Sequence, residues 1–248
     1  MHSLRRFLTL SAFLILLSVP AGAVPSLVVD LSSAQIKITT GFTGAHLLLF
    51  GAVERKGDIV VVVRGPLQEE IVRRKERIGG IWVNRDAVTF GAVPGYNFVA
   101  SSRPLNQIAT EETLRRLQIG SDRLALRSVG APPKVLASTF RKGLISLKQE
   151  KSLFSVKPDS VTILSGKLFR ADLTFPANVP TGYYTAEIYL FDSGRPVSIS
   201  RKRLAVHKVG LGAAIYNYAH DHAALYGIVA VLIALFAGWL GGVIFRKA

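Results

Sequence analysis

Phe169-Arg170-Ala171-Asp172-Leu173-Thr174-Phe175 and, soon after, Tyr184-Thr185-Ala186-Glu187-Ile188-Tyr189-Leu190 place a core-forming residue at every second position. Successive side chains of a strand point to opposite faces, so each stretch predicts a half-buried β-strand. Asp192-Ser193-Gly194 turns the second strand into a run through Val197, Ile199, Leu204 and Val206, which reads as a hairpin with a Gly-containing loop. Pro180-Thr181-Gly182-Tyr183-Tyr184 carries the Gly-x-Tyr spacing of a tyrosine corner, a feature of Ig-like sandwiches, although the chain has no cysteine for an inter-sheet disulfide. Residues 151–208 are therefore expected to form an Ig-like β module.

Upstream, residues 24–105 also read as strands. Ile36 and Ile38 alternate with polar neighbours, whereas Ile59-Val60-Val61-Val62-Val63 is continuous and predicts a strand buried on both faces. Further strands are expected at Leu47 to Val53, Glu70 to Arg74, Ile81 to Val83, Ala87 to Phe90 and Tyr96 to Ala100. Gly57, Gly65-Pro66, Gly79-Gly80 and Pro94-Gly95 punctuate them with residues that turn easily or cannot extend a ladder. Between the two modules, residues 106–150 read as a helical connector. Thr110-Glu111-Glu112 offers an N-cap and two acids for one helix, and Gly120 a stop. A second helix is expected after Pro132-Pro133, with Val135 or Leu136, Phe140, Leu144 and Leu147 as its apolar face. The fold class is thus mainly β: two β-sandwich modules, joined by a short helical segment and followed by one C-terminal transmembrane helix.

That helix is Ala223 to Phe245, AALYGIVAVLIALFAGWLGGVIF, which holds no charged residue. About 23 residues at 1.5 Å rise reach about 34 Å, enough to cross a hydrocarbon core of about 30 Å. Arg246 and Lys247 follow, and basic flanks stay on the cytoplasmic side, so residues 246–248 are expected inside and the bulk of the chain outside. Ala230, Ala234, Gly238 and Gly242 recur every four residues on one face and form a candidate seam for close packing against a second helix. Residues 209–222 are a juxtamembrane segment. At the other end, Arg5-Arg6, the apolar run Phe7 to Val19 and Ala21-Gly22-Ala23 read as a cleaved signal peptide over residues 1–23. Export of a chain without cysteine or Asn-x-Ser/Thr sequons agrees with a bacterial periplasm, the span lying in the inner membrane.

The 248 residues carry a formal net charge of +15. With Arg5, Arg6, Arg246 and Lys247 set aside, 27 basic residues remain against 16 acidic ones, so the outward part keeps +11. The densest runs, Arg73, Arg74, Lys75 and Arg77, and Arg201, Lys202 and Arg203, are candidate contacts for acidic headgroups or an anionic partner; the plainer reading is a solvated basic face. Nucleic acid does not fit an exported, membrane-tethered domain.

Trp82-Val83-Asn84, Val93-Pro94-Gly95-Tyr96, Ser101-Ser102-Arg103-Pro104, Leu168-Phe169-Arg170-Ala171, Pro176-Ala177-Asn178-Val179-Pro180, Gly182-Tyr183-Tyr184, Leu225-Tyr226-Gly227 and Gly238-Trp239 resemble the alphaproteobacterial putative transmembrane protein family over nearly all of the mature chain. The resemblance implies an exported single-span protein without assigned catalytic residues, and a permease of the sulfite-exporter type as a neighbour.

Catalytic templates are absent: no Gly-x-Ser-x-Gly elbow, no phosphate loop, no His-Glu-x-x-His helix and no cysteine nucleophile. Gly210-Leu211-Gly212 lacks the third small residue of a dinucleotide fingerprint. His220-Asp221-His222 puts its histidines two apart, on nearly opposite sides of a helix, so polar anchoring at the headgroups is favoured over a metal site. No catalytic, cofactor or metal residue is therefore expected. The chain reads as a non-enzymatic accessory or scaffold subunit for a membrane partner, such as a permease or a second copy. The alternative is an envelope enzyme or anionic-ligand receptor whose site gathers Arg64, Arg73, Arg103, Asp86 or His46 from distant positions.

Overall fold

The computed structural model describes residues 27–130, 132–210, 216 and 218–245. The signal-peptide reading and the Arg246-Lys247 flank lie outside these residues. The described elements are β1 (Leu27–Leu31), β2 (Gln35–Ile38), β3 (Gly44–Val53), β4 (Asp58–Arg64), β5 (Leu67–Ile78), β6 (Ile81–Pro94), β7 (Asn97–Ser101), α1 (Leu105–Ile108), α2 (Glu111–Arg116), a 3-10 turn (Ser121–Arg123), β8 (Arg127–Ser128), α3 (Lys134–Glu150), β9 (Asp159–Leu164), β10 (Leu168–Pro176), β11 (Gly182–Asp192), β12 (Arg195–Lys208) and α4 (Ala223–Phe245).

Nine strands form one sheet in the order β1-β3-β10-β9-β7-β4-β11-β12-β2. All neighbours are antiparallel except β7 with β9 and β12 with β2. The sheet folds back on itself. Phe175 of β10 and Tyr184 of β11 stand four positions apart in that order, yet their rings meet edge to face at 5.9 Å, and the Tyr96 ring stacks on Phe175 at 5.1 Å. Between the two halves lies one core, with Leu49, Phe169, Ala171, Leu173 and Phe175 from one side and Ile59, Val61, Val63, Ala186, Ile188 and Leu190 from the other. At the open edge Lys202 of β12 reaches Asp30 of β1 at 3.3 Å.

This pairing replaces the expected division into two separate sandwiches. β3 from the first half runs beside β10 from the second over nine residue pairs, Ala52–Leu168 to Gly44–Pro176, and β4 lies beside β11 from Arg64–Thr185 to Asp58–Phe191. Alternation tells which face of a strand is buried but not which strand it pairs with, so two runs far apart in sequence looked like two modules. The tyrosine corner itself forms: Tyr184 Oη donates to the Pro180 carbonyl at 2.5 Å.

β4 is buried on both faces, as its continuous apolar run predicts. Ile59, Val61 and Val63 enter the main core. Val60 and Val62 join Val99, Tyr189 and Phe191 beneath Leu105, Ile108, Leu114 and Ile119 in a second apolar cluster roofed by α1 and α2. The Thr110 hydroxyl accepts from the Thr113 amide at 3.3 Å and caps α2. In α3 the buried face is Phe140, Leu144, Ile145 and Lys148, while Leu147 is exposed. Lys148 is tolerated there because its Nζ donates to Glu70 of β5 at 2.5 Å.

The three short strands expected between Glu70 and Phe90 are one long hairpin. β5 and β6 pair from Leu67–Pro94 to Ile78–Ile81, and β8 adds a short third strand to β6. Gly79 (φ 60°) and Gly80 (φ 88°) close it, both with the positive φ that a two-residue primed turn requires.

Candidate functional site

The helix α4 has a mean hydropathy of 2.4 over Ala223–Ile244, and none of the segment is buried against the rest of the described chain. The small-residue positions Ala230, Ala234, Gly238 and Gly242 are all exposed, and a Cβ added at Gly238 or Gly242 would meet nothing within 4 Å. Space for a second backbone is therefore open along that face. Trp239 lies against Phe236 at 6.0 Å and Tyr226 is near the other end. Just before the span, Tyr216 packs at a tilt against His220 (4.1 Å) and Tyr218 meets His222 edge-on (5.2 Å), while His220 Nδ1 donates to the Tyr216 carbonyl at 2.9 Å. These i, i+4 pairs put each histidine against a tyrosine, and among the described residues no three His, Asp or Glu side chains gather as metal ligands.

Four of the residues that a dispersed site would gather are engaged with other partners. Arg64 Nη1 donates to Glu187 at 2.6 Å and Nη2 to the Leu117 and Gln118 carbonyls at 3.0 Å, tying β4 to the end of α2. Arg103 holds Asp58, Arg74 holds Asp86, and His46 Nδ1 lies 3.3 Å from Thr174 Oγ1. Burial works to raise the Glu187 carboxyl, but hydrogen bonds from Arg201 and Tyr189 and the charge of Arg64 outweigh it and hold the carboxyl below its ordinary range. Burial, with Glu187 beside it, pushes the Tyr189 hydroxyl up to about 12. This cluster is a structural clasp on the second apolar core.

The two basic runs differ. Arg201 belongs to the Glu187 clasp and Lys202 to the β1–β12 bridge, which leaves Arg203 exposed beside them. Arg73, Arg74, Lys75 and Arg77 instead sit on the distal half of the β5–β6 hairpin, exposed to solvent. Only Arg74 among the four has a carboxylate partner among the described residues.

Sequence reasoning did not single out a cleft of about 380 Å³ lined by Tyr96, Asn97, Phe98, Phe154, Asp159 and Thr174, with Lys157 and Gln149 at its margin. Asn97 is fully buried; its amide donates to Ser121 Oγ at 3.3 Å, and its Oδ1 has no hydrogen-bond partner. Burial raises the Asp159 carboxyl above its ordinary value. The cleft presents the Asp159 carboxyl to a ligand, while Asn97 Oδ1 is buried behind its wall. One polar residue inside the apolar run Tyr96-Asn97-Phe98-Val99-Ala100 was the signal available in the sequence.

Fold and span together define a β-domain protein with one candidate membrane helix among the described residues. No curated protein matches the sequence. The chain belongs to the Alph_Pro_TM family, described as putative transmembrane protein, whose family model matches residues 26–247. A chain of a solved structure described as "Structural basis of T cell specificity and activation by the bacterial superantigen toxic shock syndrome toxin-1" aligns with 74% of this chain and 99% of its own length, at 9% identity and a TM-score of 0.28. A likeness that low carries no argument about fold or function.

Proposed function

We propose that this chain is a single-span inner-membrane protein whose β domain stands in the periplasm, with its C-terminus in the cytoplasm, and that it serves as an accessory or scaffold subunit for a membrane partner such as a permease. The observation that carries the reading is the uncovered span: an apolar helix without charge, open along its Ala230, Ala234, Gly238 and Gly242 face. Lipid tails compete equally for apolar side chains, so close backbone approach decides whether such a helix associates. Gly238→Leu and Gly242→Leu should weaken crosslinking to a second membrane helix in native membranes, while Val229→Leu, on the opposite face, should not. Equal association in all three would move the contact to the β domain. Orientation is checked separately: a reporter active only outside the cytoplasm should work when fused at Lys208 and fail when fused at Ala248.

The cleft lined by Tyr96, Phe98, Phe154 and Asp159 favours a second reading, a receptor for a small ligand that hydrogen-bonds the Asp159 carboxyl. Native mass spectrometry of the purified chain tests it. A bound small molecule that is lost in Asp159→Leu would support that reading over the scaffold.

A further inference from the structure

The β5–β6 hairpin outgrows the domain it starts from. Its base is anchored: Val88, Phe90 and Val93 are buried, and Lys148 of α3 holds Glu70. Beyond the Val72–Val88 pair the burial ends, and six further residues of β5 lead to the turn, a projection of about 20 Å at 3.3 Å per residue. This arm ends in apolar side chains that touch no core. Ile78 is 56% exposed, Ile81 70% and Trp82 65%, clustered around Gly79-Gly80.

Charge on the arm is arranged as well. Residues paired across a ladder project to the same side, so the register places Arg77 with Trp82, Lys75 with Asn84 and Arg73 with Ala87 on one face. The other face carries Ile78 with Ile81, Glu76 with Val83 and Arg74 with Asp86. There the charges neutralise one another, Arg74 on Asp86 and Arg85 on Glu76 at 2.7 Å. On the first face Arg73, Lys75 and Arg77 have no carboxylate partner among the described residues. The tip thus combines a tryptophan, two isoleucines and an unneutralised row of three cations.

Each part of that combination fits a bilayer surface. Trp prefers the headgroup level, where its ring is amphipathically placed, and cations next to it find lipid phosphates. A handful of side chains around a two-residue turn is far less than the roughly 800 Å² that each partner of a stable protein complex contributes. A bilayer is also the one surface that the chain is always near, because α4 anchors it there. We propose that the tip of the β5–β6 arm is a second membrane contact, with Ile78, Ile81 and Trp82 entering the interface and Arg73, Lys75 and Arg77 binding anionic phospholipid headgroups. The inference rests on the span and not on the scaffold reading. Two membrane contacts, one a helix and one a hairpin tip, would fix how the domain stands over the bilayer, which a single tether leaves free.

The full chain, reconstituted in vesicles, tests this. Its two tryptophans are Trp82 and Trp239, so Trp239→Phe leaves Trp82 as the sole reporter. In vesicles containing phosphatidylglycerol and brominated lipid, Trp82 emission should shift to the blue and be quenched. Each cation near an anionic surface is worth about 1 kcal/mol. The triple change Arg73→Gln, Lys75→Gln, Arg77→Gln should therefore lower the ratio of docked to free tip about 100-fold, and high salt should act in the same direction. These side chains are exposed, so the variant keeps the fold. In the reciprocal variant Trp82→Phe, quenching of Trp239 verifies insertion of the span; its absence would overturn the span and this proposal together. Water-like, unquenched Trp82 beside a quenched Trp239 would overturn the arm contact alone. So would equal quenching in purely zwitterionic vesicles, or efficient disulfide linkage of two chains through Ile81→Cys, which would make the occupant a second copy.

Discussion

Replacing Leu173 by Asp asks whether the two halves of the chain are one structure. Leu173 has no exposed surface and lies beside Leu47 of β3 in the ladder. Truncating a buried leucine costs about 2–5 kcal/mol, and a carboxylate left unpaired in an apolar core adds several more. Their sum approaches the roughly 5–15 kcal/mol that holds an ordinary domain folded. Leu173→Asp should therefore unfold the domain, and Leu173→Ala, which incurs the first loss alone, should lower the urea midpoint by about 1–2.5 M at a slope near 2 kcal/mol/M. Thr174→Asp, one residue on and exposed beside His46, should change stability by about 0.5 kcal/mol or less. Hydrogen exchange of the full chain in detergent gives the decisive reading. Because β10 pairs with β3 and β11 with β4, amides at Leu49 and Val61 should lose protection in Leu173→Asp together with Ile188. Loss confined to residues 151–208, with 47–63 still protected, would refute the interleaved sandwich and restore two modules.

Tyr184→Phe removes the hydroxyl bond to Pro180 and should cost about 1 kcal/mol, seen as a melting temperature about 2–4 °C lower; an unchanged melt would mean the corner bears nothing. Gly51→Ala should cost about 1–3 kcal/mol, because a Cβ there would stand 2.3 Å from the Val28 carbonyl oxygen and 2.6 Å from the Phe169 ring, and a neutral result would show that β1 can give way. Acid should destabilise the domain. A hydrogen bond from Arg103, opposed by partial burial, holds the Asp58 carboxyl below its ordinary 3.8, so its contribution is complete above that value and is lost as pH falls through the folded one. Asp58→Asn should accordingly be less stable at pH 7 and show a shallower loss below about pH 4, measured by urea unfolding across pH; an unaltered acid slope would remove Asp58 from the account.

How far the sequence reached can be judged strand by strand. β4 was legible because five consecutive β-branched residues leave no polar face, and the two apolar clusters take its odd and even positions separately. β10 and β11 were legible as faces and illegible as partners, since pairing is decided by long-range register that local alternation does not encode. In β12 Val197 and Ile199 stand an odd number of residues from Leu204, so alternation gives them the other face; they are exposed there, while Leu204 and Val206 are buried. Asn97 gave the cleft no motif, because its isolation arises only when Ser121 and Ser155 arrive from other elements. The β5–β6 arm shows the general reason. Gly79-Gly80 was correctly read as a turn, and Ile81 and Trp82 as strand residues, but a strand's period says only that two faces differ. Whether such a face meets core, water or lipid depends on how far its hairpin runs past the sheet that roots it. Here the ladder continues for six residues beyond the last buried pair, so apolar side chains stand in the open, beside three cations that the same register aligns with Trp82.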